Sequence, residues 1–184
     1  MSSGQGAAFG LTLIELLIVL VILVITITLA ASPMRNLVSS TRVSSEVNRL
    51  MTAVNLTRSE ALKRNQPVSM CPSVMSTSGD VMCTGYFSDG WIIFSNVDKD
   101  NVVDEEDEII QIFEGIPSGY TLSNRKGTIQ ASEKITYLSD GSSRRNRTLL
   151  LCAPIPGGHI SKSLIINIVG RPRISSNWGA CPPS

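Results

Sequence analysis

The stretch AFGLTLIELLIVLVILVITITLA, residues Ala8–Ala30, decides how the front of this 184-residue chain folds. The 21 residues of Leu11–Ala31 include a single charged side chain, Glu15. A helix rises about 1.5 Å per residue, so this run is long enough to cross a hydrocarbon core of about 30 Å. The sequence therefore predicts a transmembrane helix over residues 11–31 rather than a helix of a buried protein core.

The residues in front of the apolar run differ from an ordinary secretory signal. Met1–Gly10 holds no Lys or Arg, and the small residue Gly10 precedes the apolar run instead of following it. This order resembles the cleavage and methylation motif of type IV prepilins, in which a peptidase cuts after a glycine. The resemblance implies a leader peptide over residues 1–10 and cleavage by prepilin peptidase between Gly10 and Leu11. Two features depart from that class: Leu11 stands where Phe is usual, and the leader lacks basic residues.

Glu15 is the fifth residue after this cleavage point. An unpaired carboxylate in lipid costs roughly 2.5–3.5 kcal/mol, so such a residue indicates a function. The resemblance implies that Glu15 meets the α-amino group created at Leu11 of a neighbouring subunit and thereby sets the register of a helical fibre. The alternative is a carboxylate tolerated at the headgroup boundary of a plain membrane anchor.

Past the apolar run, the sequence predicts that the helix continues over residues 32–65. Pro33 predicts that the helix is kinked but does not end there, whereas Pro67 prevents the helix from continuing. Apolar side chains recur at spacings of three, four or seven, which is typical of an amphipathic helix that packs on a globular head. A coiled coil is the alternative, but the stripe covers too few heptads. The stripe consists of Val43, Val47, Leu50, Val54 and Ala61.

Residues 66–184 are predicted to form a globular, β-rich head. Short apolar or alternating runs are separated by Gly, Pro, Asn and Asp, which is typical of strands and turns. Because one amphipathic helix covers a single sheet face, a second layer is expected. The predicted fold class is α+β, with a long N-terminal helix packed on a mostly antiparallel, two-layer β head. The runs are VSMC, YFSDGWIIFSN, EIIQIFEG, GYTLS, GTIQA, KITYLSDG, RTLLLCAPI and SLIINIVGRPRI.

The four cysteines are even in number and allow three pairings. Local pairing is favoured, with Cys71–Cys83 closing a short loop and Cys152–Cys181 holding the C-terminal tail. The head is expected to be exported, and disulfides persist in exported proteins. A zinc site is not favoured, because no cysteine lies in a CxxC motif and His159 is the single histidine.

Several internal motifs resemble one group of pilin-like proteins. They are LTRSEALKRNQPVSMCP, then Cys83, GWIIFSN, and GRPRI before Cys181. Their order is similar to that of the GspH/FimT/FimU group, the minor pilins of type IV pili and the H-type pseudopilin of type II secretion. The resemblance implies a minor pilin near the pilus tip that primes assembly, with other major and minor pilins as partners. An H-type pseudopilin, or a purely structural FimU-like priming pilin, is the alternative.

The same resemblance implies a location. Before assembly the chain is expected to cross the inner membrane once, with its head in the periplasm. After assembly it is expected in an extracellular pilus or a periplasmic pseudopilus.

The C-terminal part of the chain is basic. Residues 120–184 hold nine basic and two acidic side chains, whereas residues 66–119 hold one basic and ten acidic. In GRPRI, Arg171 and Arg173 are two residues apart, so an extended backbone directs both guanidiniums to one side, suited to neighbouring phosphates. The resemblance to FimT, whose Gly-Arg-x-Arg motif is implicated in DNA binding during natural transformation, implies extracellular double-stranded DNA as a ligand.

Other side chains are candidates for enlarging this basic patch and giving it salt-dependent, sequence-independent affinity. They are Arg144, Arg145, Arg147 and Lys162. Trp178 is a candidate either for stacking on a base or for the protein core. The alternatives for Arg171 and Arg173 are a solvated strand end and a contact with the next pilin.

The acidic segment Asp98–Glu108 offers oxygen ligands but lacks the glycine that an EF-hand loop needs, so a polar β-hairpin tip is favoured over a calcium site. The ligands in question are Asp98, Asp100, Asn101 and Asp104. No pairing of nucleophile and base, and no glycine-rich phosphate loop, supports catalysis. The sequence predicts no enzyme activity, no cofactor and no metal site.

Overall fold

The computed structural model of the chain describes residues 12–74, 79, 82–98, 103–104, 107–176 and 178–182, without the side chains of residues 28–35. Within these described residues, one α-helix precedes eight β-strands. The elements are α1 (Leu13–Arg64), β1 (Val68–Pro72), β2 (Gly90–Ser95), β3 (Ile109–Glu114), β4 (Thr121–Ser123), β5 (Ile135–Tyr137), β6 (Arg147–Ile155), β7 (Gly158–Ile166) and β8 (Pro172–Ser176). The chain divides into two compact units, Met1–Val38 and Ser39–Ser184.

The helix ends where the sequence predicts an end. Asn65 adopts a left-handed backbone with φ of 52°, a conformation that asparagine tolerates and that commonly closes a helix. Pro67 follows two residues later and lacks the N–H that another helical turn needs. Lys63 and Arg64 occupy the last turn, where positive charge favours the negative end of the helix dipole.

In the first unit, the described part of the helix is apolar on all sides. Every large apolar side chain from Leu13 to Ile27 is exposed, with fractions between 48% and 84%. The Thr26 hydroxyl donates to the carbonyls of Ile22 and Leu23, so this polar group is satisfied within the helix. Across the described residues, none of the helical sequence has both the length and the hydropathy of a membrane crossing.

The head contains two four-stranded sheets. The first has the order β3-β2-β1-β5 and the second has the order β4-β6-β7-β8, and each pairing between named strands is antiparallel. The predicted α+β class with a two-layer antiparallel head is confirmed. Within the run SLIINIVGRPRI the chain turns at Asn167–Gly170, so the run contributes the end of β7 and the start of β8. GTIQA contributes only an isolated bridge, Gln130 to Ser123.

The predicted apolar stripe of α1 forms the centre of the core. All five of its side chains are fully buried. They share one hydrophobic cluster with the inner faces of both sheets, which include Val68, Met70, Trp91, Ile93, Ile135, Leu149, Leu151, Leu164 and Ile166. Burying one such side chain contributes roughly 1.5–3 kcal/mol, so this cluster dominates the stabilisation of the head.

Two arginines of α1 attach the helix to loops of the head. Arg49 lies 4.8 Å above the ring of the buried Trp91 and donates to the Gly115 carbonyl at 2.9 Å. Arg58 donates to the Gly141 carbonyl at 3.0 Å. Because these bonds join residues far apart in the sequence, they orient the helix on the sheets as well as satisfying loop carbonyls.

Each sheet has an outer face that is covered by a disulfide-bonded segment. On the first sheet, Cys71, Ile92 and Phe94 form a second buried cluster against Cys83 and Val103. On the second sheet, Cys152 is bonded to Cys181 of the C-terminal tail. The predicted pairing of Cys71 with Cys83 and of Cys152 with Cys181 is confirmed.

We expect loss of either disulfide to lower the free energy of unfolding by about 2–5 kcal/mol. The sequence separations are 12 and 29 residues, so a chain-entropy argument makes Cys152–Cys181 worth about 0.8 kcal/mol more. Denaturant unfolding of the paired Cys→Ser variants measures both effects. Unfolding midpoints equal to that of the unaltered protein would contradict this prediction.

An ion-pair network joins the end of α1 to β3. Arg64 donates to Glu60 at 2.8 Å and to Glu108 at 2.5 Å. The hydrogen bonds from Arg64 lower the pKa of both carboxyls below the ordinary range of glutamate. A lowered folded-state pKa means that this stabilisation is present at neutral pH and is lost as the pH falls through the folded-state pKa values.

The Arg64→Ala variant lacks this network, so its melting temperature should lie below that of the unaltered protein at neutral pH. The difference should shrink as the pH falls below about 4, where the glutamates take up protons. Thermal unfolding at about pH 7 and about pH 3 measures the effect. Arg42→Ala removes an exposed guanidinium elsewhere on α1 and should show no such narrowing. A difference for Arg64→Ala that stays constant with pH would count against the network.

Candidate functional site

Glu15 takes part in the start of α1. The Thr12 hydroxyl oxygen accepts from the Glu15 N–H at 3.3 Å, and the Glu15 carboxylate accepts from the Thr12 N–H at 3.5 Å. This reciprocal pair is a capping box, which satisfies two backbone donors that a helix otherwise leaves open. Sequence reasoning missed this role, although the signal, Thr-x-x-Glu before an apolar run, was present. Gly10 and Leu11 lie outside the described residues, so cleavage there and pairing of Glu15 with an α-amino group stay predictions.

The GRPRI segment begins at a tight turn between β7 and β8. Asn167 shapes this turn, because its carbonyl accepts from the Gly170 N–H at 2.8 Å and its side-chain oxygen accepts from the Arg171 N–H at 2.9 Å. Gly170 has a φ of 79°, and a Cβ there would lie 2.0 Å from the Gly141 oxygen. Glycine is therefore required at this position. Arg171 follows directly after the turn, and Arg173 lies on β8.

Arg173 lies on the outer face of the second sheet. It pairs with Ile165, whereas the next pair along the strands, Pro172 with Ile166, belongs to the core-facing row. Arg171 and Arg173 are both exposed, and β8 is an edge strand. Among the described residues, neither arginine forms an ion pair. Their side chains are available to an anion outside the molecule.

Trp178 lies beside this strand and is not part of the core, since it is 37% exposed. The guanidinium carbon of Arg173 is 5.9 Å from the centre of its ring, and that of Arg125 is 4.0 Å away. Arg125 was not predicted, because it is 48 residues from Arg173 in sequence and its loop carries no motif. Its close contact with the indole competes with the predicted stacking of Trp178 on a base.

The other predicted basic residues divide between two places. Arg147 pairs with Ile166, which in turn pairs with Pro172, so Arg147 is two strands, about 10 Å, from the start of β8. Arg144 and Arg145 are exposed just before β6, and a cavity of 340 Å³ lies beside them. These three arginines and GRPRI therefore lie at the same end of the second sheet.

Two of these basic groups are already engaged. Lys162 is three residues from Ile165 on β7, hence on the opposite face of the sheet from Arg173, and it donates to the Ser44 hydroxyl of α1 at 2.9 Å. Arg147 forms an ion pair with Glu133, which lines the same cavity. Lys162 therefore does not belong to the surface that carries Arg173.

The acidic segment connects two antiparallel neighbours, β2 and β3, so the hairpin interpretation is confirmed. The Asp107 carboxylate accepts from the Val97 N–H at 3.3 Å across the base of the hairpin. Asp100 and Asn101 lie outside the described residues. In the part of the chain that the structure describes, no group of three His, Cys, Asp or Glu side chains could hold a metal ion. His159 lies at the start of β7 opposite Pro154.

Comparison with known proteins gives two kinds of similarity. A family model described as type II transport protein GspH matches residues 46–170. A crystal structure of the type IV minor pilin FimU from Pseudomonas aeruginosa (strain PAO1) has a TM-score of 0.50 at 17% identity, covering 73% of this chain and 89% of that one. A second crystal form of FimU gives 0.47 at 17% identity, covering 72% and 91%. No curated protein sequence matches the chain.

At this identity, the likeness to FimU shows the fold alone. The family match carries more, because it extends over more than half of the chain. It includes α1 from residue 46 onward, all strands from β1 to β7 and the turn before β8. GspH and FimU are structural, non-enzymatic proteins. The chain therefore belongs to the GspH family of pilin-like proteins.

Proposed function

We propose that this chain is a minor pilin of a type IV pilus, cut by prepilin peptidase after Gly10 and assembled near the tip, where it primes the fibre. Membership of a pilin-like family implies association with other pilins in a pilus or pseudopilus. One observation carries the proposal: a single helix has exposed apolar side chains on all sides from Leu13 to Ile27 and also contributes the core stripe of a GspH-family head.

The exposed apolar side chains require a partner. An apolar surface of this extent is unfavourable in water and marks a contact with lipid or protein. We propose that the inner membrane covers residues 11–31 before assembly, with the head in the periplasm, and that the same segments of neighbouring pilins cover them in the fibre. The apolar run Leu11–Ala31 supports both steps, because it contains one charge only.

The capping box allows the charge of Glu15 to be tested apart from its role at the helix start. Glu15→Gln removes the charge but keeps a side chain that fits a capping box, whereas Glu15→Ala removes both. If the carboxylate meets an α-amino group of another subunit, both variants should lose an interaction of about 1.5–3 kcal/mol. That loss corresponds to roughly tenfold or more in an assembly equilibrium.

The measurement is the amount of each variant in fibres sheared from cells that lack the unaltered gene and produce only that variant. Glu114→Gln, on the exposed part of β3, is the matched control and should assemble normally. Assembly of Glu15→Gln at the unaltered level, with a defect only in Glu15→Ala, would show that capping suffices and would refute the charge pairing.

The H-type pseudopilin of a type II secretion system is the second candidate, favoured by the description of the matching family as a type II transport protein. Gene deletion separates the two. Loss of surface pili with normal exoprotein secretion supports the minor pilin, and loss of secretion with normal pili supports the pseudopilin.

We also propose that the pilin captures extracellular double-stranded DNA through Arg171 and Arg173. Support comes from two exposed guanidiniums on an edge strand, without an ion pair among the described residues, in a region of the chain with nine basic and two acidic side chains. Arginine suits phosphate because its planar fork donates two parallel hydrogen bonds. Arg144 and Arg145 are exposed at the same end of the sheet and are candidates for extending the positive surface.

Binding of duplex DNA to the full chain in detergent tests this function. The variant with Arg171→Ala and Arg173→Ala should bind more weakly, and the slope of log affinity against log salt should fall by about 2, one for each lost phosphate contact. Arg42→Ala, which removes an exposed guanidinium from α1, is the control and should leave the slope unchanged. Equal slopes for the double variant and the unaltered protein would remove the site and leave a purely structural priming pilin.

A further inference from the structure

Trp178 is shared by two guanidiniums. The guanidinium carbons of Arg125 and Arg173 are 4.0 and 5.9 Å from its ring centre, so they are no more than about 10 Å apart. Both arginines are exposed, and within the described residues neither has a carboxylate partner. Two like charges held this close repel each other, and an anion between or beside them relieves the repulsion.

The C-terminal tail holds Trp178 in this position at three points. The Ser163 hydroxyl of β7 donates to the Trp178 carbonyl. The Ala180 N–H donates to the Arg125 carbonyl at 3.0 Å, and Cys181 is bonded to Cys152. The tail is therefore attached both to the second sheet and to the loop that carries Arg125.

The loop and the tail fit each other closely. The Asn124 side-chain oxygen accepts from the N–H groups of Lys126 and Thr128 at 3.1 Å, which closes the loop into a tight turn. Gly127 has a φ of 71°, and a Cβ there would lie 2.3 Å from the Ala180 oxygen. This contact fixes the backbone of the loop against the tail, so the position of Arg125 depends on the tail being in place.

The contact with the indole at 4.0 Å restricts the Arg125 side chain before any ligand arrives, and Arg173 lies at the outer limit of such a contact, at 5.9 Å. A free arginine gives up rotamer freedom when it binds, and a guanidinium already held against an aromatic ring gives up less. Arginine also keeps its hydrogen-bonding edge available while its plane faces the ring. The arrangement thus presents oriented donors to an anion and uses the indole as a support.

We propose that Arg125 is a further phosphate-binding residue, which Trp178 and the disulfide-bonded C-terminal tail hold beside Arg173 to bind the phosphodiester backbone of duplex DNA. The inference rests on the DNA-capture function proposed above and extends its surface to the loop after β4. Trp178 supports guanidiniums instead of stacking on a base. The disulfide Cys152–Cys181 positions the site, whereas Cys71–Cys83 lies on the other sheet and has no part in it.

The first test compares Arg125→Ala with Lys126→Ala in the full chain in detergent. The two variants lose the same charge from the same exposed loop, and only Arg125 contacts Trp178. Arg125→Ala should weaken duplex DNA binding roughly fivefold to tenfold in 0.1 M salt and lower the salt slope by about 1. Equal losses from both variants would show that net charge alone matters and would overturn the inference.

The second test uses the two disulfides as a matched pair. The variant with Cys152→Ser and Cys181→Ser should lose at least as much DNA affinity as Arg125→Ala, whereas the variant with Cys71→Ser and Cys83→Ser should retain it. Circular dichroism at the assay temperature establishes that each variant is folded. If the Cys152–Cys181 variant is unfolded there, Gly127→Ala takes its place, since it disturbs the tail and leaves both disulfides intact. Full affinity in the folded variant overturns the inference.

A third measurement needs no DNA. Trp91 is fully buried, so quenching of the tryptophan fluorescence by ions in solution reports on Trp178. The ratio of iodide to caesium quenching should be higher for Trp178 than for free tryptophan amide, because two guanidiniums attract the anion, and Arg125→Ala should reduce the iodide effect more than Lys126→Ala does. A ratio equal to that of free tryptophan amide would overturn the placement of the cations.

The outcomes separate this inference from the function on which it rests. Preferential iodide quenching without duplex DNA binding by the unaltered protein overturns DNA capture and, with it, the phosphodiester backbone as the ligand of Arg125. DNA binding that depends on Arg171 and Arg173 but not on Arg125 overturns this inference alone. Dependence on all three arginines, with preferential iodide quenching, supports both.

Discussion

The structure depends on the burial of one apolar stripe of α1 against two sheets at once. A helix presents about one face to its partners, and here the five stripe side chains between Val43 and Ala61 are fully buried in a cluster that includes the inner faces of both sheets. The helix therefore joins the layers, and Arg49 and Arg58 orient it by binding carbonyls of distant loops.

Covering the inner faces leaves two outer faces, and each sheet is bonded on its outer face to a segment outside the named strands. A covalent bond between such a segment and the sheet beneath it is an effective constraint. Cys83 holds one segment against β1, and Cys181 holds the tail against β6. The second of these also brings Trp178 next to Arg125 and Arg173, so a bond that stabilises the head also organises its basic surface.

Glu15 shows how one side chain can serve two purposes. Within the chain it completes a capping box with Thr12, which favours starting the helix at this point. In a fibre, a carboxylate among apolar side chains favours a partner of opposite charge. The cap needs only one subunit, whereas the ion pair proposed for the fibre needs two.

The long helix and its end, the stripe, most strands, the hairpin nature of the acidic segment and both disulfides are predictable from the amino-acid sequence. They follow from local rules: periodicity, proline and glycine positions, and short separations between cysteines. The folded chain was needed to show that Lys162 faces α1, that Trp178 is exposed and that Arg125 and Arg173 both approach Trp178. Those facts depend on strand register, where a shift of one residue reverses the face, and on contacts between residues 53 and 118 positions apart. The turn between β7 and β8 follows from local signals at Asn167 and Gly170, whereas the close approach of Gly170 to Gly141 is a tertiary contact.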